Sequence, residues 1–193
     1  WRSTRSLERA EAQERLTLAS ASPRRRELLA HLGISFDVVA AELDESVLPG
    51  EPARAYVERL ACAKAQRVGN SLVLAADTSV VVDDEVLGKP GLDVALGKAM
   101  LRRLSGRSHQ VMTGIAVSNR GAFSSRVVVS EVHFRSLSEA EILWYVSTGE
   151  GSDKAGGYAV QGRAGAFITS IVGSPSNVVG LPLAETVELL RAA

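Results

Sequence analysis

At 193 residues, 46% of them apolar, the chain has enough material to bury one sizeable core. Its 22 basic and 22 acidic residues cancel, which removes the basic excess of a general nucleic-acid binder and leaves room for a local cationic pocket. Cys62 is the only cysteine, the three histidines His31, His109 and His133 are scattered, and no apolar run approaches the ~18 residues of a membrane span, so an intrachain disulfide, a cysteine-based zinc site and a spanning helix are excluded.

Residues 1–15 are polar and charged and contain no apolar stretch of the signal-peptide kind; they are expected to form a flexible or loosely helical extension, and the protein to be cytoplasmic. A short strand over 16–20 then runs into Ser22-Pro23, a good N-cap followed by a good first-turn residue, for a helix over 24–32 that Gly33 closes. Residues 34–39 alternate as a second strand, and the apolar stripe of Ala53, Val57, Leu60, Ala61 and Ala65 marks a helix over 53–67. The run 71–76 reads as a strand buried on both faces that stops at Asp77-Thr78 and resumes over 79–82, with Asp83-Asp84 as a hairpin turn. After the Gly88–Gly91 loop a helix is expected over 92–104. Strands over 111–118 and 126–134 flank the hairpin signal Asn119-Arg120-Gly121. Ser138 and Glu141 form a capping box for a helix to about Ser147. A loop rich in glycine and charge follows over 149–162, then a strand over 166–172 and a last helix over 183–191. The sum is a mixed α/β architecture in one domain, residues 16–193.

Four places carry chemistry. The turn between the first strand and helix offers free backbone N–H groups and a helix dipole, while Arg24, Arg25 and Arg26 oppose that dipole unless an anion is held there. Asp77 is a carboxylate embedded in an apolar strand, where it needs a metal, a cation or hydrogen bonds, and Asp44-Glu45 is an acidic pair able to share a Mg²⁺ ion with it. Lys64 lies beside the apolar stripe of its helix and Lys89 sits in a Gly-Lys-Pro loop. Between Asp153 and Gly162, three glycines beside charged and aromatic groups suggest a backbone closely approached by a ligand. Each feature alone also fits a solvated turn, a strand-end acid, a surface lysine or a surface loop. Together they point to a phosphate-and-metal site without naming a reaction.

At these same residues the chain strongly resembles the Maf family of nucleoside triphosphate pyrophosphatases, once known as septum-formation inhibitors. The likeness covers about residues 16–192. It comprises Leu-Ala-Ser-x-Ser-Pro-Arg-Arg-x-Glu-Leu-Leu from Leu18, then Asp44-Glu45, Ala63-Lys64, Ala76-Asp77-Thr78, Leu87-Gly88-Lys89-Pro90, Leu104-Ser105-Gly106, His109-Gln110-Val111, Asp153-Lys154-Ala155-Gly156, Gln161-Gly162 and Asn177 to Pro182, all in order. The resemblance implies an elongated mixed β-sheet with flanking helices and a central cleft between two lobes, as in the inosine triphosphate pyrophosphatases, and often a homodimer. It implies Asp77 as the catalytic carboxylate with a divalent cation, Mg²⁺ or Mn²⁺, held by Asp77 and Glu45. Ser20, Arg24, Arg25, Glu45, Lys64 and Lys89 match positions lining the triphosphate and metal site, Lys154 is expected to bind phosphate with them, and Arg24, Thr78 and Gln161 match positions associated with base choice. The Asp-Lys-Ala-Gly-x-Tyr-x-x-Gln-Gly form is similar to the branch acting on dTTP and UTP. Pro175 and Gly151 depart from the family pattern, where an aromatic residue and a proline are usual.

The implied activity is hydrolysis of dTTP and UTP, or of modified pyrimidine nucleotides, to monophosphate and pyrophosphate, with no membrane and no stable nucleic-acid partner. The alternative from another class is a nucleotide-sensing or division-regulating binding protein without turnover. The joint presence of the acid, both lysines and the arginine turn favours the enzyme.

Overall fold

In a computed structural model of the protein, residues 15–69 and 71–193 are described; the expected N-terminal extension, Arg15 apart, lies outside the described residues. Strands β1 (Leu16–Ala19), β2 (Phe36–Val38), β3 (Val73–Val82), β4 (Glu85–Leu87), β5 (Ser108–Asn119), β6 (Ala122–Phe134) and β7 (Ile168–Val172) form one mixed sheet in the order β2-β1-β3-β5-β6-β7, with β4 paired to the far end of β3. β1 is parallel to β2 and β3, and every other pairing is antiparallel. Helices α1 (Pro23–Ala30), α2 (Ala53–Val68), α3 (Val94–Leu104), α4 (Glu139–Ser147), α5 (Pro175–Val179) and α6 (Leu183–Ala192) flank it. This is the mixed α/β class that the sequence pattern predicts.

Local signals account for several helix ends. The Ser22 side chain accepts the Arg25 N–H and Pro23 opens α1, which stops at Ala30 and turns through Gly33 at φ 68°. Asp93 accepts the Leu96 N–H, so α3 begins at Val94 rather than at 92. The Ser138–Glu141 capping box is present in both directions, and it helps Arg135 hold the Glu141 carboxyl down to about 2. The Asp83-Asp84 hairpin is also as predicted, both residues taking positive φ.

β3 differs from expectation. It does not stop at Asp77-Thr78 but runs unbroken from Val73 to Val82, because β5 pairs along it through Asp77↔Gly114 and Thr78↔Thr113. On its other edge β1 reaches only the Ala19↔Ala75 pair, and β4 begins at Val80↔Leu87. Ala76 to Ser79 therefore have a neighbouring strand on one side only.

Side chains alternate across the strand. Val73 and Ala75 pack with Ala61 and Ala65 of α2, small residues that let the helix lie close, and Asp77 continues that face. Leu74 and Ala76 belong to the opposite face, with Leu28 and Leu29 of α1 and Leu189 of α6. A separate apolar cluster joins the far end of β3 to Leu101 and Leu104 of α3, Tyr145 of α4 and Phe167. β4 and α5 carry too short a periodic signal to be read from sequence.

Candidate active site

The one-sided stretch of β3 opens onto a cavity of about 530 Å³. Every site residue expected from the resemblance lines it: Ser20 and the α1 turn with Arg24 and Arg25, Glu45, Lys64, Asp77 and Thr78, Lys89, Lys154 and Gln161. Helices α1 and α2, strand β3 and loops far apart in sequence deliver them to one place.

Asp77 is 7% exposed and Lys64 6%. The Lys64 ammonium, reaching across from α2, donates to Asp77 Oδ1 at 2.6 Å and lies 2.6 Å from Glu45 Oε1. Two carboxylates thus face each other across one cation. Partial burial pushes Glu45 up, but the hydrogen bond and charge of Lys64, with Lys89 and Arg25 behind it, hold its carboxyl below the usual range. The Tyr56 hydroxyl donates to the Glu45 carbonyl at 2.8 Å. Burial first, then the charges of Asp77 and Glu45, push that phenol up to about 12.

The expected acidic pair separates. Glu45 turns inward, whereas the exposed Asp44 accepts the N–H and hydroxyl of Ser46 at 2.9 and 2.6 Å and stays outside the cavity. Likewise Arg26 is exposed while Arg24 and Arg25 face the cavity.

Arg25 is more committed than its expected phosphate role suggests. Its guanidinium donates to the Gly180 carbonyl at 2.8 Å, Ser20 Oγ at 3.2 Å and Thr78 Oγ1 at 3.0 Å, leaving two of its five N–H groups for a ligand. Burial draws it below its ordinary value and Asp77 partly restores it. Thr78 Oγ1 in turn meets Thr113 Oγ1 at 2.9 Å, and Thr113 donates to the Asn177 carbonyl at 3.2 Å. The fully buried Asn177 donates to the Val111 carbonyl and Ser130 Oγ, each at 3.0 Å. The Asn177-to-Pro182 segment thereby fastens the C-terminal part of the chain to the strands beneath the site, a role its sequence does not disclose.

On the loop wall, Asp153 pairs with Lys154 at 2.5 Å and with Arg24 at 3.7 Å. Desolvation raises Asp153, but Lys154 and Arg24 carry it below the usual carboxylate range. Gln161 is exposed to the cavity, and its amide makes no hydrogen bond to protein among the described residues. Behind this wall Tyr158, 5% exposed, meets buried His109 Nε2 at 2.8 Å. The two departures from the family pattern also find places. Pro175 opens α5 behind the Ser174 cap, and Gly151 lies so near the Gly157 carbonyl that a Cβ would stand 1.9 Å from its oxygen.

Among the described residues no three His, Cys, Asp or Glu side chains group as a metal cage, and no helix is long and apolar enough to cross a membrane.

The family model for Maf-like proteins matches residues 15–193. The chain is 57% identical over 183 residues to the dTTP/UTP pyrophosphatase of Anaeromyxobacter dehalogenans strain 2CP-C, covering 93% of this chain and 94% of that one. It is 54% identical to the dTTP/UTP pyrophosphatase of Myxococcus xanthus strain DK1622, covering 94% and 93%, and 50% identical to that of Hahella chejuensis strain KCTC 2396, covering 93% and 92%.

Proposed function

The chain belongs to the Maf-like protein family, and from that premise we propose that it hydrolyses dTTP and UTP to the nucleoside monophosphate and pyrophosphate. The observation that carries the reading is the buried Asp77 carboxylate facing Glu45 across Lys64, in a cavity also lined by Arg24, Arg25 and Lys89. An anionic chain of phosphates fits the cations, and a reacting phosphorus fits beside the acids. The functional unit is residues 16–193 as one domain, since the cavity draws on residues from Ala19 to Gly180. We read the cavity as a cleft between two lobes, each built on its own apolar cluster.

A divalent cation suits this donor set. Two hard carboxylate oxygens already converge on one positive charge, and Mg²⁺ is typically held by one or two carboxylates with the substrate's phosphates rather than by an all-protein cage. Asp77 and Glu45 would hold it, and it would polarise the phosphate oxygens and neutralise charge developing on them.

The chain's own residues supply the rest. Asp77 orients a water and accepts its proton as the water oxygen bonds to the α-phosphorus. The bond from that phosphorus to the bridging oxygen breaks, and pyrophosphate carries away the electron pair. Lys64 fixes the Asp77 carboxylate through its 2.6 Å hydrogen bond. Lys89, Lys154, Ser20 and the free N–H groups of Arg24 and Arg25 hold the leaving phosphates, where fixed donors count most. Gln161 reads the base: its amide can donate to a pyrimidine O4 and accept from N3–H, a pattern shared by uracil and thymine and reversed in cytosine. Arg24 and Thr78, which line the same cavity, shape the same choice. The protein works in the cytoplasm, and exposed Leu92, Leu143 and Trp144 near α3 and α4 offer an apolar face for a second copy in a homodimer.

Phosphorus NMR of UTP turnover with Mg²⁺ tests the reaction. UMP and pyrophosphate are expected as first products, and UDP with orthophosphate would overturn it. Asp77→Asn keeps the volume but removes the base, so turnover should fall by at least ~10²-fold with the fold retained; a folded variant within a few-fold of wild type would overturn the role of Asp77.

A further inference from the structure

Among the described residues nothing hydrogen-bonds the Gln161 side chain, so how far its amide reaches into the cavity depends on where the turn places its Cα. That turn is tied at both ends to one network. The Tyr145 hydroxyl, on α4, accepts the Ala159 N–H at 3.0 Å and donates to Glu150 Oε1 at 3.1 Å. The same Glu150 oxygen accepts the Arg163 N–H at 2.8 Å. Ala159 and Arg163 flank Val160, Gln161 and Gly162, and the turn is closed by the Gly162 N–H donating to the Ala159 carbonyl at 3.0 Å.

Two independent features mark this as a built contact. A Cβ at Gly162 would stand 2.3 Å from Glu150 Oε1, so the carboxylate lies against the turn's backbone and would have to shift for any larger residue there. Tyr145 is 0% exposed, and burial, reinforced by the charge of Glu150, drives its phenol upward, so the hydroxyl stays a proton donor. Neither Tyr145 nor Glu150 lines the 530 Å³ cavity. Any influence they have on substrate is exerted through the turn.

We propose that Tyr145 and Glu150 are positioning residues for base selection, fixing the Ala159–Arg163 turn at the place from which the Gln161 amide reaches the pyrimidine edge. The inference rests on the reading of Gln161 as the base contact. Without the network the Gly162–Ala159 hydrogen bond still closes the turn, but the turn samples several positions, in most of which the Gln161 amide falls short of the uracil edge. CTP, which lacks the complementary contact, has little to lose.

The test compares kcat and KM for UTP and CTP in the full chain and in Tyr145→Phe, Glu150→Ala, Glu150→Gln and Gln161→Ala. Calorimetric binding of the α,β-imido analogues of both nucleotides gives the same ratio without turnover. Tyr145→Phe keeps the ring, and is expected to raise KM for UTP roughly five- to tenfold, the size of one hydrogen bond, with kcat within about twofold and CTP little changed. Glu150→Ala should match it. Glu150→Gln keeps an acceptor oxygen where Oε1 stands and should restore most of the UTP preference. Loss of kcat on both substrates alike, or an unchanged UTP:CTP ratio in Tyr145→Phe, would overturn the positioning role. If Gln161→Ala itself leaves the ratio unchanged, the base-reading assignment is what fails and the positioning role falls with it. If Gln161→Ala collapses the ratio while Tyr145→Phe and Glu150→Ala do not, the assignment stands and the positioning role alone is wrong.

Discussion

Burial decides the chemistry of His109. The ring is 3% exposed, hydrogen-bonded to Tyr158, and stands edge-on to Phe134 and Tyr158. Desolvation, with a smaller contribution from His133, lowers it from 6.5 to about 4. The folded ring therefore binds a proton less readily than the unfolded one. Its contribution to stability is complete above about pH 6.5, declines as the unfolded ring protonates, and is gone once the pH falls through about 4. A depression of this size corresponds to on the order of 3 kcal/mol, about 2 of it lost by pH 5. Urea unfolding at pH 7.5 and pH 5.0 should show that loss in the wild type and a much smaller one in His109→Gln; equal losses would remove His109 as the cause. Residues differ in how openly the sequence displays such roles. Asp77 is legible because a carboxylate inside an apolar run demands a partner. Glu45 cannot be told from Asp44 by pattern, since neighbouring loop residues have no periodicity to say which turns inward. His109 and Tyr158 lie 49 residues apart, and no local signal joins them.

Among the elements, α2 and β5 set how near Lys64 comes to Asp77. Gly114 pairs with Asp77 across the ladder, and a Cβ there would stand 2.3 Å from the Val57 carbonyl oxygen of α2. The missing side chain is what admits the helix. Gly114→Ala should cost about 1–3 kcal/mol, the range for overpacking a tight contact, and should lower kcat beyond what instability explains, because displacing α2 draws the ammonium off the carboxylate. Urea unfolding alongside kcat checks this, and a variant with normal stability and turnover would show that the helix does not need the space. The helical stripe of α2 and the capping box of α4 are plain in sequence because both depend on residues within one or two turns. The unbroken course of β3 is not, since Asp-Thr has the chemistry of a strand end and only pairing with β5, more than thirty residues away, carries the strand through.

At the scale of the whole molecule, the cavity gathers the first turn, the middle strand, the β4 loop, the loop before β7 and the segment after α5. A nucleotide held there ties these together and stabilises the folded state by mass action. At a hundred times its Kd, α,β-imido-UTP with Mg²⁺ should add about 2.7 kcal/mol and raise Tm by roughly 5–10 °C for a chain of this size. Calorimetry with no shift at saturating analogue would contradict binding across these elements. The gap between β1 and β4 that opens the cavity has one more consequence. It leaves Ala76 to Ser79 as a short length of sheet edge inside the molecule, and an edge is ordinarily a hazard, since unpaired backbone groups recruit strands from other chains. Here the interval is closed at one end by the Ala19↔Ala75 pair and at the other by Val80↔Leu87, too short for a foreign strand to register against. Main-chain groups on that side remain open to a small ligand while being closed to aggregation, so β3 can present its own backbone to the cavity without becoming a template for misassembly.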